Sequence, residues 1–286
     1  MKYPVIDMHV HPAFYETVCE SEKQERFARD MYGLYKTGIF PEEVVFRQME
    51  CAGIDKAVLL PLDLTTVYQG VLGTNEQVKR LVGMYPDRFI GFASVDPHRE
   101  DAEEVLREAF GRHRLSGLKL HPAKQRFYPM DDCMERIYSI CEEYHKPIIF
   151  HSGMSAAPDA LSKYAEPKLF EELAYLHPKL KFCLAHFGWP WIQETCMLML
   201  KYPNVYADTA LLYFDNAPEF YAQSFTVDMG RHWIDRSLRH QIMFGSDDPR
   251  LEMIRMKKAI EKLDMRQSTI ELILGGNALE FLGMEE

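Results

Sequence analysis

Two histidines spaced i, i+2 close the apolar run Tyr3-Pro4-Val5-Ile6-Asp7-Met8-His9-Val10-His11-Pro12. Strand side chains alternate between faces, so Asp7, His9 and His11 are expected on one side of a strand that Pro12 stops. Neutral imidazoles side by side are half of a site for zinc or a similar ion. Taken alone, the triplet equally fits two polar histidines satisfied by neighbours. Three further apolar runs end the same way, in His121, His151 and His186, and a fourth, Phe244-Gly245-Ser246-Asp247, ends in a carboxylate.

These residues need a scaffold that gathers strand ends. Short apolar runs over 3–11, 56–61, 89–95, 116–121, 148–151, 181–186, 205–208 and 241–247 alternate with amphipathic segments over 41–52, 75–84, 99–110, 130–144, 167–176, 191–200, 251–263 and 268–282. Eight strand candidates separated by helices predict an α/β fold, a distorted (β/α)8 TIM barrel in one domain over 1–286. An open doubly wound sheet is the alternative, but no Gly-X-Gly-X-X-Gly follows the first strand. Residues 13–37 are charged and aromatic and read as a helical excursion over the barrel mouth, while 211–240 reads as loop with two short helices. In a barrel the C-terminal strand ends share one rim, where catalytic sites are built. His9, His11, His121, His151, His186 and Asp247 therefore converge if the fold is right. By contrast, His113, His145, His177 and His240 lie near helix C-termini, where partial positive charge is favourable without chemistry. His98 and His232 read as surface or packing residues.

A formal net charge of -10 argues against nucleic acid or an anionic membrane as partner, since either needs a basic face. The start of the chain lacks the apolar core of a signal peptide, and no run approaches a membrane span, so a cytoplasmic location is expected. The six cysteines form no Cys-X-X-Cys pair and read as reduced thiols.

Taken together, Asp7-Met8-His9-Val10-His11, Gly117-Leu118-Lys119-Leu120-His121-Pro122, Phe150-His151-Ser152-Gly153, Leu184-Ala185-His186-Phe187-Gly188 and Phe244-Gly245-Ser246-Asp247 resemble the amidohydrolase superfamily. The match is to its amidohydrolase-2 branch of hydrolases, lactonases and aminocarboxymuconate semialdehyde decarboxylase-like enzymes. Tyr85-Pro86-Asp87-Arg88-Phe89 and the stretch from Gly276 to Leu282 extend the resemblance over essentially the whole chain. It implies that His9, His11, His151 and Asp247 surround one divalent metal ion, zinc first and manganese second, with His186 beside it. Asp247 and His186 are the candidate catalytic residues: Asp247 as general base, His186 polarising the scissile bond or donating to the leaving group. In two-metal relatives a carboxylated lysine on strand four bridges the ions. Lys119 faces as His121 does but lies about 6–7 Å deeper, which suits a buried cation beneath the site.

His121, Lys119, Trp189, Arg250 and Tyr68 are the candidate substrate-binding residues, with Phe14, Lys124, Arg126, Trp191 and Tyr213 also on rim loops; aromatics with a few cations suit a small carboxylated molecule. Asp63, Asp96 and Asp208 end strands and read as caps. The resulting expectation is a metal-dependent hydrolase that opens a C–O or C–N bond with metal-activated water. Non-oxidative decarboxylation on the same constellation is the nearest alternative, and a non-catalytic metal- or ligand-binding barrel is the reading of another class. Aromatics such as Trp233 leave room for a homodimer.

Overall fold

The computed structural model describes residues 2–211 and 216–284. The eight apolar runs form parallel strands, most of them shorter than the runs, because only part of each run finds ladder partners. Strand β1 (Ile6–Val10) pairs with β2 (Lys56–Leu59), and β2 with the first part of β3 (Phe89–Gly91). The second part of β3 (Ala93–Ser94) continues the sheet into β4 (Leu118–Leu120), β5 (Ile148–Phe150), β6 (Phe182–Leu184), β7 (Val205–Asp208) and β8 (Ile242–Met243). Three backbone hydrogen bonds close the ring between β8 and β1: Met8 N–H to Phe244 O (2.9 Å), Asp247 N–H to His9 O (2.9 Å) and His11 N–H to Asp248 O (2.8 Å). The fold is the expected TIM barrel.

Alternation along the strands sorts the side chains into two layers. Ile6, Met8, Val58, Leu60, Ile90, Phe92, Ile149, Cys183, Tyr206 and Met243 pack in one cluster, joined by Ala278, Leu279 and Phe281 of the last helix (Asn277–Leu282). Leu59, Phe89, Leu118, Ile148, Phe150, Phe182, Val205 and Ile242 instead pack with the apolar faces of the helices. Helix Glu42–Ala52 buries Val45, Met49 and Ala52 in this way. Helix Asn75–Met84 buries Val78 and Leu81, and a capping box between Thr74 and Gln77 fixes its start.

The excursion after β1 is a 3₁₀ turn (Pro12–Phe14) and a helix (Glu22–Tyr32). It packs on an antiparallel hairpin, Leu62–Leu64 with Gly70–Leu72, that interrupts the chain after β2 and that the sequence does not predict. A β-carbon at Gly70 would lie 2.6 Å from the Phe27 ring, so only glycine allows the helix this close. Within the irregular stretch, helix Ala217–Ala222 runs into a π-helical turn (Gln223–Asp228), and helix Trp233–Arg236 follows. Among the described residues, no helix is long and apolar enough to cross a membrane.

One expectation fails locally. The register of β1 slips between Asp7 and Val10, so strict alternation does not hold along this strand. Ile6 and Met8 belong to the inner cluster, yet His9 also reaches the interior at the mouth, and Asp7 is not on the face that His9 shares. Gly245 makes room, since a β-carbon there would lie 2.9 Å from that of His9.

Candidate active site

The mouth of the barrel holds a cavity enclosing about 430 Å³ of space, part of it open to solvent. His9, His11, Lys119, His121, His151, His186, Asp247 and Arg250 line it, each delivered by a strand end or by the loop that follows one. Lys124, Met31 and Tyr32 also line it, the last two from the excursion helix, together with Leu62 and the loop over residues 155–157.

Hydrogen bonds behind the rings fix which imidazole nitrogens carry protons. His9 Nδ1–H donates to Asp208 Oδ2 (2.8 Å), His11 Nδ1–H to Leu60 O (2.9 Å) and His186 Nδ1–H to Ala210 O (2.6 Å). Because a carboxylate or carbonyl oxygen only accepts, all three Nε2 atoms are left as lone pairs. His9 Nε2 lies 3.6 Å, and His11 Nε2 3.3 Å, from Asp247 Oδ1. Ligands around an ion with bonds near 2.1 Å stand roughly 3.0–3.4 Å apart, so this spacing suits one shared cation. His9, His11 and Asp247 thus form a site able to hold a divalent metal. The buried Nε2 of His151 has no hydrogen-bond partner, as a nitrogen reserved for a ligand would. His151 stacks on His121, with ring centroids 3.8 Å apart, and lies 4.7 Å from the His186 ring.

The backbone supporting these side chains is itself constrained. Asp247 has φ +67°, and His186 and Phe187 have φ +57° and +52°, conformations that cost a non-glycine residue roughly 1–2 kcal/mol each. The Asp208 carboxylate accepts from the main-chain N–H of His186 (2.8 Å) and of Ala210 (3.2 Å), which holds the turn after β6 in place. Asp7 accepts from the N–H of His9 (3.1 Å) and of Ser246 (2.9 Å), clamping β1 to the loop after β8. Burial pushes the Asp7 carboxyl up to about 7.

Electrostatics separate the ligating groups from the cations around them. Burial, reinforced by neighbouring Lys119, keeps His9 neutral well below the usual imidazole range, and burial does the same for His121 and His151. For Asp247, burial works against ionisation, but its polar and charged neighbours, Arg250 among them, outweigh it and keep the carboxylate charged. Arg250 Nε stands 3.3 Å from Asp247 Oδ2. Lys119 is buried with Nζ 3.5 Å from His9 Nε2, so it reaches the cluster despite its depth in the strand, and burial lowers its ammonium to about 8.

Two candidates for substrate contact lie apart from this cavity. Trp189 is half-buried and packs near Phe220, with centroids 5.8 Å apart, and Tyr68 belongs to the apolar group of Phe14, Leu62 and Leu64 beneath the excursion. Phe14 is fully buried there, Arg126 and Trp191 are not among the residues lining the cavity, and Tyr213 lies outside the described residues. Two contributors escape sequence reasoning. Asp208, read as a cap, is the partner that orients His9; its place at a strand end on the same rim was the available signal. Tyr32 carries no such signal, since it reaches the mouth only through the packing of the excursion. Three histidines outside the site have ordinary partners: His98 Nε2 meets Gln125 O (3.0 Å), His113 stands beside Glu76 and His177 beside Glu142.

The chain resembles several known proteins at low identity. A 2-amino-3-carboxymuconate-6-semialdehyde decarboxylase from Dictyostelium discoideum is 24% identical over 236 residues, which cover 74% of this chain and 66%, just under two thirds, of that relative. An uncharacterised TIM-barrel protein from Bordetella bronchiseptica superposes with a TM-score of 0.75 at 21% identity, covering 98% of both chains. A dihydroxybenzoic acid decarboxylase from Polaromonas sp. JS666, solved with manganese and the inhibitor 2-nitroresorcinol, gives a TM-score of 0.65 at 16% identity, over 98% of this chain and 97% of that one. At such identities the two superpositions establish the fold. The sequence profile of the amidohydrolase family matches residues 6–284, and the chain belongs to that family.

Proposed function

We propose that this protein is a metal-dependent, non-oxidative decarboxylase of a small aromatic or unsaturated carboxylic acid. The observation that carries the reading is the charge pattern of the cavity. Lys119, Lys124 and Arg250 stand around a cluster whose lining carboxylate, Asp247, meets the histidine pair through Oδ1 and Arg250 through Oδ2. A carboxylate engaged on both oxygens has little left to take a proton from water, whereas the surrounding cations suit a substrate acid. The decarboxylase names of the Dictyostelium relative and the Polaromonas structure point the same way.

In this reading His9, His11, His151 and Asp247 hold the ion. Bound there, a divalent ion supplies positive charge for the oxygens of the substrate. The side chains do the rest. Asp208 and Leu60 O keep the Nε2 atoms of His9 and His11 free, and His186 Nε2 faces the reacting group. His121 accepts from Lys124 N–H at Nδ1 (3.2 Å), so its other nitrogen carries a proton that can be shared with a substrate oxygen. Loss of carbon dioxide leaves an electron pair on carbon, which takes up one proton. Nitrogen and carboxylate ligands with open positions fit zinc, and the manganese in the Polaromonas enzyme supports that ion equally.

Hydrolysis, which the sequence alone ranks first, uses the same ligands but requires Asp247 to take a proton from water. The two are separated by incubating the metal-loaded protein with hydroxybenzoates, unsaturated acids, lactones and amides in ¹⁸O-water. Carbon dioxide release with no ¹⁸O in the remaining product is expected. Turnover confined to lactones or amides, with ¹⁸O incorporated, would overturn the reading.

A further inference from the structure

Lys124 is a buried cation on the cavity wall that metal binding does not employ. It projects from the turn Pro122–Gln125 directly after His121 and is 3% exposed. Among the described residues, its ammonium has one hydrogen-bond acceptor, Met31 O (2.6 Å), and sits 5.3 Å from the centre of the Tyr32 ring. An ammonium has three N–H donors, so burying it with a single carbonyl leaves strong donor capacity directed at whatever fills the cavity.

Its neighbours on this side of the site are donors as well. Arg250, which also lines the cavity, stands with Nε 3.3 Å from Asp247 Oδ2 and carries two terminal amino groups besides. The second nitrogen of His121 carries hydrogen, as the contact with Lys124 N–H requires. The Tyr32 hydroxyl is buried with no partner, while its ring packs on His11 with centroids 4.9 Å apart. Asp247 is shared with His9 and His11, and Asp159, the other acid near Lys124, is exposed at the rim. A wall of donors calls for a ligand group that only accepts, and a carboxylate is the small group of that kind.

We propose that Lys124, Arg250, His121 and Tyr32 form a second anion subsite, so that the substrate is a diacid with one carboxylate at the metal cluster and another held at the mouth. The proposal rests on the decarboxylase reading for the fate of the first group. Its C–C bond breaks, carbon dioxide leaves, the carbon takes a proton, and the second carboxylate is retained in the product as the anchor.

The test is calorimetric binding of unreactive acids to the metal-loaded protein: benzene-1,3-dicarboxylate and cis,cis-muconate against benzoate and sorbate. The diacids are expected to bind at least about tenfold more tightly. Lys124→Met is expected to bring the two classes within about twofold of each other, and Lys124→Arg to keep the preference. If Lys124 only fastens the excursion, Lys124→Met weakens both classes equally, and the proposal fails. It also fails if the unmodified protein shows no preference, a comparison that needs no variant to fold; Tyr32→Phe, which keeps the ring, gives a second, smaller loss confined to diacids. Because binding is read without turnover, a diacid preference stands even for a hydrolase, and a decarboxylase that favours monoacids overturns this inference alone.

Discussion

At one end of the barrel, Ile6, Val58, Ile90 and Tyr206 meet Ala278, Leu279 and Phe281 of the last helix in an apolar plug. At the other end the barrel strands deliver His9, His121, His151, His186 and Asp247 to a cavity lined by Lys119, Lys124 and Arg250. Both ends are buried, but for different reasons. The plug removes hydrocarbon from water and so stabilises the fold. The mouth shuts charged and ligating groups away from water, which costs stability and makes them useful to a substrate. Stability and chemistry are thus divided along the barrel axis: a substitution in the plug should leave the mouth's chemistry intact, and one at the mouth should not weaken the fold.

The strongest break of that division is His9→Ala. It should lower kcat/KM at least about a thousandfold and abolish stoichiometric metal binding, while circular dichroism shows a folded barrel. Phe281→Ala is the converse, expected to cost about 3–5 kcal/mol in denaturant unfolding while elemental analysis finds the metal content unchanged. A variant that unfolds with loss of metal at ordinary temperature would show the ends to be coupled.

Lys124→Met sharpens the contrast by predicting a gain. Burial lowers this ammonium from 10.5 to about 7, so between those values the unfolded chain binds a proton that the fold resists. The penalty is absent above 10.5 and grows as pH falls towards 7. The variant should therefore be roughly 1–4 kcal/mol more stable than the unmodified protein at pH 7, with the advantage shrinking as pH rises to 10. Equal stability at both pH values would mean that Lys124 carries no burial cost. The mildest change is Asp208→Asn, expected to weaken metal affinity about 10–100-fold in a chelator competition while leaving the melting temperature nearly unaltered.

How much of this was legible beforehand depended on what kind of signal each residue carries. The strands were readable because apolar runs stop abruptly at His-Pro or at turn residues, and a barrel then places every such stop on one rim. His151 and His186 could be assigned to the mouth on that basis alone. Asp7 could not, because a slip in strand pairing between Asp7 and Val10 leaves no trace in the pattern of apolar residues. The hairpin after β2 was hidden by its brevity, three residues a side, and by Asp63, whose bond to Thr65 N–H resembles an ordinary turn contact. Trp189 drew attention as a large aromatic on a rim loop, but its ring packs among neighbouring side chains. Lys124 was readable as a rim-loop cation directly after His121, whereas Tyr32 is recognised only once distant segments meet, since it belongs to no motif.

The closure between β1 and β8 bears on how the molecule is made. The contact between Ser246 N–H and the Asp7 carboxylate joins groups 239 positions apart, and the cluster of His9, His11 and Asp247 spans almost the same interval. A chain emerging from the ribosome presents both histidines long before the carboxylate that completes the cluster. An ion captured there fastens a very long loop, the kind of closure that restricts the unfolded chain most. The proposed ion would then load only after β8 has joined β1, and would tie the two strands together at the place of its chemistry.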